Sequence, residues 1–141
     1  MEEKMADMTL TRAEFNKVGG MDGGHEEIIL KIRENGSCII KAEKQAYWGS
    51  RIRRKRARLS RRKSIKEEIL NALDGSKYWE WNDLEYAEEI ALDAPVNRLS
   101  VYFSGEKNES YSISNNMAMD DSDRQAMREI IFILRKYAFG E

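Results

Sequence analysis

The sequence predicts an α+β domain. Two antiparallel β-hairpins form one sheet, a C-terminal helix packs across it, and an arginine-rich helix stands exposed. Three observations predict this. Two pairs of short segments, rich in β-branched and aromatic residues, are each joined by a polar turn. The last twenty or so residues place apolar side chains at helical spacing. Between the pairs, residues 51–63 carry nine cations and no acid. The chain has 141 residues, 41% hydrophobic and 35% charged. That is one domain's worth, residues 1–141, with enough apolar content for a core.

Taken in order, residues 1–10 read as a frayed N-terminus. Thr11-Arg12-Ala13-Glu14 has the form of a capping box, a hydroxyl followed three residues later by a carboxylate, and predicts a short helix to about Val18. Gly19-Gly20-Met21-Asp22-Gly23-Gly24 reads as a flexible linker. No Gly-Lys-Ser/Thr follows it, so it is not a P-loop. Residues 27–33 (EIILKIR) and 37–43 (SCIIKAE) have strand composition. Asn35-Gly36 between them favours a tight hairpin turn, because glycine accepts positive φ.

Ser50 is placed to cap a helix that begins with the basic block. Within 51–63 only Ile52, Ala57 and Leu59 are apolar, a stripe too thin to anchor that helix to a core. Ser64-Ile65-Lys66-Glu67 is a second capping box. Behind it Ile65, Ile69, Leu70 and Leu73 make an apolar face, and Gly75 suits the stop. One helix over 51–73 with an exposed basic half fits this pattern. So does a basic loop followed by a short helix.

Tyr78, Trp79 and Trp81 predict a short aromatic strand or turn, and Asn82-Asp83-Leu84-Glu85 the start of a short helix ending before Pro95. Residues 98–104 (RLSVYFS) and 110–114 (SYSIS) form the second hairpin around a polar turn at Gly105–Glu109. Ser122-Asp123-Arg124-Gln125 is a third capping box. The helix behind it carries Met127, Ile130, Ile131, Leu134, Tyr137 and Ala138. Strand order is not encoded in such local patterns.

Composition also bounds the chemistry. One cysteine, Cys38, excludes an internal disulfide framework and a cysteine metal cluster. One histidine, His25, excludes a multi-histidine metal site. The longest apolar run is Ile130 to Leu134, far too short to span a bilayer, and MEEKMADM lacks the apolar segment of a signal peptide. A cytoplasmic protein with no membrane partner and no cofactor is expected. Acids cluster at Glu85, Glu88 and Glu89 and at Asp120, Asp121 and Asp123. A two-metal nuclease needs such carboxylates to converge. The first group instead suits an exposed helix face, and the second a helix start, where acids favour the macrodipole. Cys38, in a predicted strand, reads as a small buried residue and His25 as a surface residue. No enzyme is predicted.

Outside the basic block the chain carries 15 cations and 25 acids. The block therefore stands against an acidic background, and that asymmetry points to a polyanionic partner. Its cations are Arg51, Arg53, Arg54, Lys55, Arg56, Arg58, Arg61, Arg62 and Lys63. Seven are arginine, which adds planar bidentate phosphate contacts and stacking to bare charge. Tyr47 and Trp48 directly precede the block, and either stack on bases or pack on the first hairpin.

The block resembles the arginine-rich helical motifs of RNA-binding proteins. It also resembles the arginine-rich bridge helix that holds guide RNA in RNA-guided nucleases. The likeness is one of composition over 51–63, and it implies a nucleic-acid or ribonucleoprotein partner. The expected function is that of a nucleic-acid-binding regulatory or accessory protein, with arginine content favouring RNA over DNA. The alternative is a phage or mobile-element inhibitor, anti-CRISPR-like, that blocks a nucleic-acid enzyme or ribonucleoprotein. There the acidic region 80–93 (EWNDLEYAEEIALD) would meet a basic protein surface. That region also offers the block a docking site within the same chain or on another copy.

Overall fold

The structure, a computed structural model, describes residues 8–19, 23–60, 64–87 and 95–140. The elements run β1 (Thr9–Val18), β2 (His25–Ile32), β3 (Cys38–Gln45), β4 (Arg53–Leu59), α1 (Ile65–Leu73), a 3-10 helix (Tyr78–Asp83), β5 (Val96–Ser104), β6 (Glu109–Ser114) and α2 (Asp121–Phe139). The strands form one antiparallel sheet in the order β4-β3-β2-β1-β5-β6. The α+β class is as expected, but the sheet has six strands where two hairpins supply four.

The two extra strands correct two sequence readings. Thr11-Arg12-Ala13-Glu14 does not start a helix. It lies in β1, the strand that joins the two hairpins through β2 on one side and β5 on the other. Residue 10, expected to fray, is a buried core residue of that strand. A β-bulge explains the misreading. The register with β5 slips between Leu10 and Arg12, so Leu10, Ala13 and Phe15 are all buried despite uneven spacing. That uneven spacing hides the strand's alternation and leaves the capping-box pattern of Thr11 and Glu14 as the stronger local signal.

The second correction concerns the arginine-rich segment. Residues 53–59 are not an exposed helix. They are an edge strand, paired with β3 from Cys38↔Leu59 to Lys44↔Arg53. In a helix, cations three and four apart would crowd one another. In a strand, successive side chains leave on opposite faces. The register also sets the segment's only apolar pair, Ala57 and Leu59, beside Ile40 and Cys38 at the rim of the core.

The core lies between one face of the sheet and the helices. Alternate residues of β2, β3, β5 and β6 point into it, among them Ile28, Leu30, Ile40, Leu99, Val101 and Ile113. Helix α2 lies against β2, β3 and β4, and α1 packs on α2. In α2 the predicted stripe is modified. Ile130, Leu134 and Ala138 are buried as expected, Ile133 joins them, and Ile131 is only half-buried. Helix α1 begins where predicted, but Ser64 makes no side-chain cap; Asp120 rather than Ser122 caps α2, accepting from the Asp123 N–H.

Tyr78, Trp79 and Trp81, expected in a strand or turn, lie in the 3-10 helix. Trp81 is fully buried, and its indole N–H donates to the buried Asp123 carboxylate at 3.0 Å. The Lys77 N–H donates to the same oxygen, also at 3.0 Å. Residues 84 and 85 do not continue a helix. They run on to Tyr86, which bridges to Met117. The remainder of the predicted helix, residues 88–94, lies outside the described residues.

Two ionic links tie the layers together. Glu26 of β2, 3% exposed, accepts both Nε (2.8 Å) and Nη2 (2.9 Å) of Arg135 on α2. The guanidinium also lies 5.1 Å from the centre of the Phe15 ring. The second link joins α1 to α2 through Glu68, which accepts from Lys136 Nζ at 2.7 Å and from the Tyr137 hydroxyl. Partial burial pushes the Glu68 carboxyl up, but these two bonds outweigh it and hold the group below the usual carboxylate range. A carboxylate with a depressed pKa stabilises the fold above its unfolded value, and that stabilisation is lost as pH falls through the folded value. The difference in melting temperature between wild type and Glu68→Gln is therefore expected to be largest near neutral pH and to shrink below about pH 4. A difference independent of pH between 7 and 3 would show that Glu68 acts by packing alone.

Candidate nucleic-acid interface

The sheet has two edges, and they differ. At the β6 edge, the Asn82 side chain donates to Ser110 O at 2.8 Å and accepts from Ser112 N at 3.0 Å, as a neighbouring strand would. Beside it, the segment holding Glu85 to Ala87 pairs with residues 116–118. At the β4 edge, no described segment lies beyond the strand in the sheet. Its outer row of backbone groups faces outward, the arrangement that recruits an extended partner unless charge blunts it. β4 carries that charge: Arg53, Arg54, Lys55, Arg56 and Arg58, all exposed.

The pleat divides the five cations between two faces. Arg53 and Lys55 lie on the helix side, where the Arg53 guanidinium sits 5.4 Å from the Phe139 ring centre and Lys44 Nζ 5.5 Å from it. Arg54, Arg56 and Arg58 lie on the opposite face, which no described helix covers. Arg54 Nε donates to Glu43 Oε1 at 2.9 Å. The other Glu43 oxygen lies 3.4 Å from His25 Nε2, so His25 sits half-buried at the open face, away from any nucleophile or metal set. Among the described residues, Arg51, Lys55, Arg56 and Arg58 have no ion-pair partner.

The register then sets like charge beside like. Arg56 is opposite Lys41, and Arg53 opposite Lys44. Like charges directly opposite one another destabilise a sheet. The basic character continues inward on the open face through Lys31, opposite Arg12. It fades toward β5, where Glu14 satisfies Arg12 and accepts from the Tyr102 hydroxyl at 2.8 Å. A shallow groove of about 470 Å³ runs over this face between Ile29, Lys41, Glu43 and Arg56.

Tyr47 and Trp48 do not pack on the hairpin. They stand on the turn between β3 and β4, 58% and 82% exposed. Arg61, Arg62 and Lys63 lie outside the described residues. Sequence reasoning found the cations and the aromatic pair before them, but expected the cations on an exposed helix or a basic loop rather than a strand. It missed Lys41, which the β3–β4 pairing sets opposite Arg56, and Lys31, one strand further in on the same face.

The acidic candidates have local explanations. Asp120 caps α2, Asp123 is buried beneath Trp81, and Asp121 pairs with Arg124 at 3.5 Å. Glu88 and Glu89 lie outside the described residues. Among the described residues, no group of three His, Cys, Asp or Glu side chains is arranged to hold a metal. Cys38 is buried, and burial raises its thiol pKa, which disfavours a nucleophilic thiolate. Among the described residues no helix is long and apolar enough to cross a membrane.

Comparison with protein-family models finds no match to the chain, and comparison with curated proteins finds no relative.

Proposed function

We propose that this is a nucleic-acid-binding regulatory or accessory protein acting in the cytoplasm, with β4 as its phosphate-reading element and no catalysis of its own. The observation that carries the reading is the arrangement of β4. An open edge strand holds five exposed cations, and its register sets one of them, Arg56, opposite Lys41. Stability alone would favour an acid opposite Lys41. A polyanion would relieve the repulsion and pair with Lys55, Arg56 and Arg58 on both sides of the strand. The arginine content favours RNA over DNA. Binding of short single- and double-stranded RNA and DNA to the purified protein, read by anisotropy at about 50 mM salt, tests it.

A second reading is favoured by a separate observation. Charge is polarised along the sheet. The β4 edge is basic, while the β6 edge carries the exposed acids Glu80, Asp83 and Glu85. Such a bipolar body suits an inhibitor that grips nucleic acid at one end and a basic protein surface at the other, as an anti-CRISPR-like protein would on a ribonucleoprotein. Binding only to an assembled ribonucleoprotein, and not to bare nucleic acid, would favour it.

A further inference from the structure

Resting on the nucleic-acid reading, we infer that the ligand is single-stranded, with the Trp48 indole stacked on one base while β4 tracks the phosphates. The turn Tyr47–Ser50 is tied by its own hydrogen bonds. Ser50 N–H donates to Tyr47 O at 3.0 Å, and the Ser50 hydroxyl reaches the same oxygen at 2.7 Å. Gln45 Nε2 donates to Ser50 O at 2.9 Å. Gly49 takes φ +87° at the third position of the turn, where a side chain would be strained.

The turn is also braced from outside. A Cβ on Gly24 would collide with the Ala46 carbonyl, and one on Gly23 would come within 2.8 Å of Trp48 Cβ. These two glycines, at the end of the linker between β1 and β2, let its backbone lie against the turn. Trp48 is thus carried on a well-tied backbone while the residue stays 82% exposed. The other tryptophans differ, since Trp81 is fully buried and Trp79 packs against the core.

Position supplies the rest. The turn leads directly into Arg51, Ile52 and β4, so the indole stands at the end of a row of cations roughly 23 Å long. Charge alone does not separate single strands from duplexes. An indole does, because a duplex keeps its base faces stacked on one another and an unpaired base has a free face. Arginines beside an aromatic platform form the combination that holds single strands with little sequence preference.

The test titrates the intact protein with a short oligothymidylate, a short oligouridylate and a mixed-sequence duplex of equal length, following tryptophan emission and probe anisotropy. Both single strands should quench the emission and bind more tightly than the duplex. Trp48→Ala should abolish most of the quenching and weaken single-strand binding roughly 5- to 150-fold, with duplex affinity and melting temperature unchanged. Trp48→Phe should restore most of the affinity. Wild-type single-strand affinity in Trp48→Ala would overturn the inference, as would a duplex that binds as tightly as the single strands or quenching by polyglutamate equal to that by oligothymidylate. If wild type binds neither single strand nor duplex, the nucleic-acid reading itself fails and the stacking role falls with it.

Discussion

Replacing Arg54, Arg56 and Arg58 together by alanine is expected to weaken nucleic-acid binding roughly 100- to 500-fold at about 0.1 M salt. Each phosphate contact contributes about 0.7 to 0.9 to the slope of log affinity against log salt. Three lost contacts therefore remove about two to nearly three units of slope. The melting temperature should change little. Arg54 and Glu43 form a partly exposed pair, and such pairs contribute at most about 1 kcal/mol. Losing Arg56 relieves its repulsion from Lys41. Changing the same three residues to lysine separates charge from shape. The salt slope should persist while affinity still falls, because lysine lacks the bidentate fork and the stacking plane. A lysine variant indistinguishable from wild type would show that β4 supplies charge alone.

The largest effect on the fold is expected from Ile130→Asp. Ile130 is fully buried on α2, in the common core. The change forfeits about 1.5–3 kcal/mol of apolar burial. It also strands a carboxylate without a partner, which costs several kcal/mol more. Together these approach the 5–15 kcal/mol that typically holds a domain folded, so the variant should be largely unfolded at ambient temperature. Phe132→Asp, two residues away on the same helix, is the matched control. Phe132 is 61% exposed, and its replacement should shift stability by no more than about 0.5 kcal/mol. Circular dichroism melts of the two variants read the contrast. Equal melting temperatures would mean that α2 presents a different face to the sheet.

Much of this architecture is legible in the sequence where the signal is local. The β2–β3 hairpin announces itself through Asn35-Gly36, and Gly36 does take φ +88°. The β5–β6 pair and both helices likewise emerge from composition and periodicity. The two misread strands fail for physical reasons. In β1 the bulge breaks the alternation that marks a strand. In β4 only Ala57 and Leu59 touch the core, so an edge position leaves almost no alternation to find. The pair of buried Glu26 with half-exposed Arg135 spans 109 residues of sequence, and nothing local marks either partner. The cations of the site are plain in the sequence. Their division between two faces, and the approach of Lys41, depend on strand pairing.

The most direct measurement is the affinity of the wild-type protein for single- and double-stranded RNA and DNA across a salt series. If about five cations of the block engage phosphates together, log affinity should fall against log salt with a slope of roughly −3.5 for single strands and −4.5 for duplexes. No detectable binding at about 50 mM salt, together with lysate partners that survive nuclease treatment, would contradict nucleic-acid recognition and make β4 a protein-docking edge.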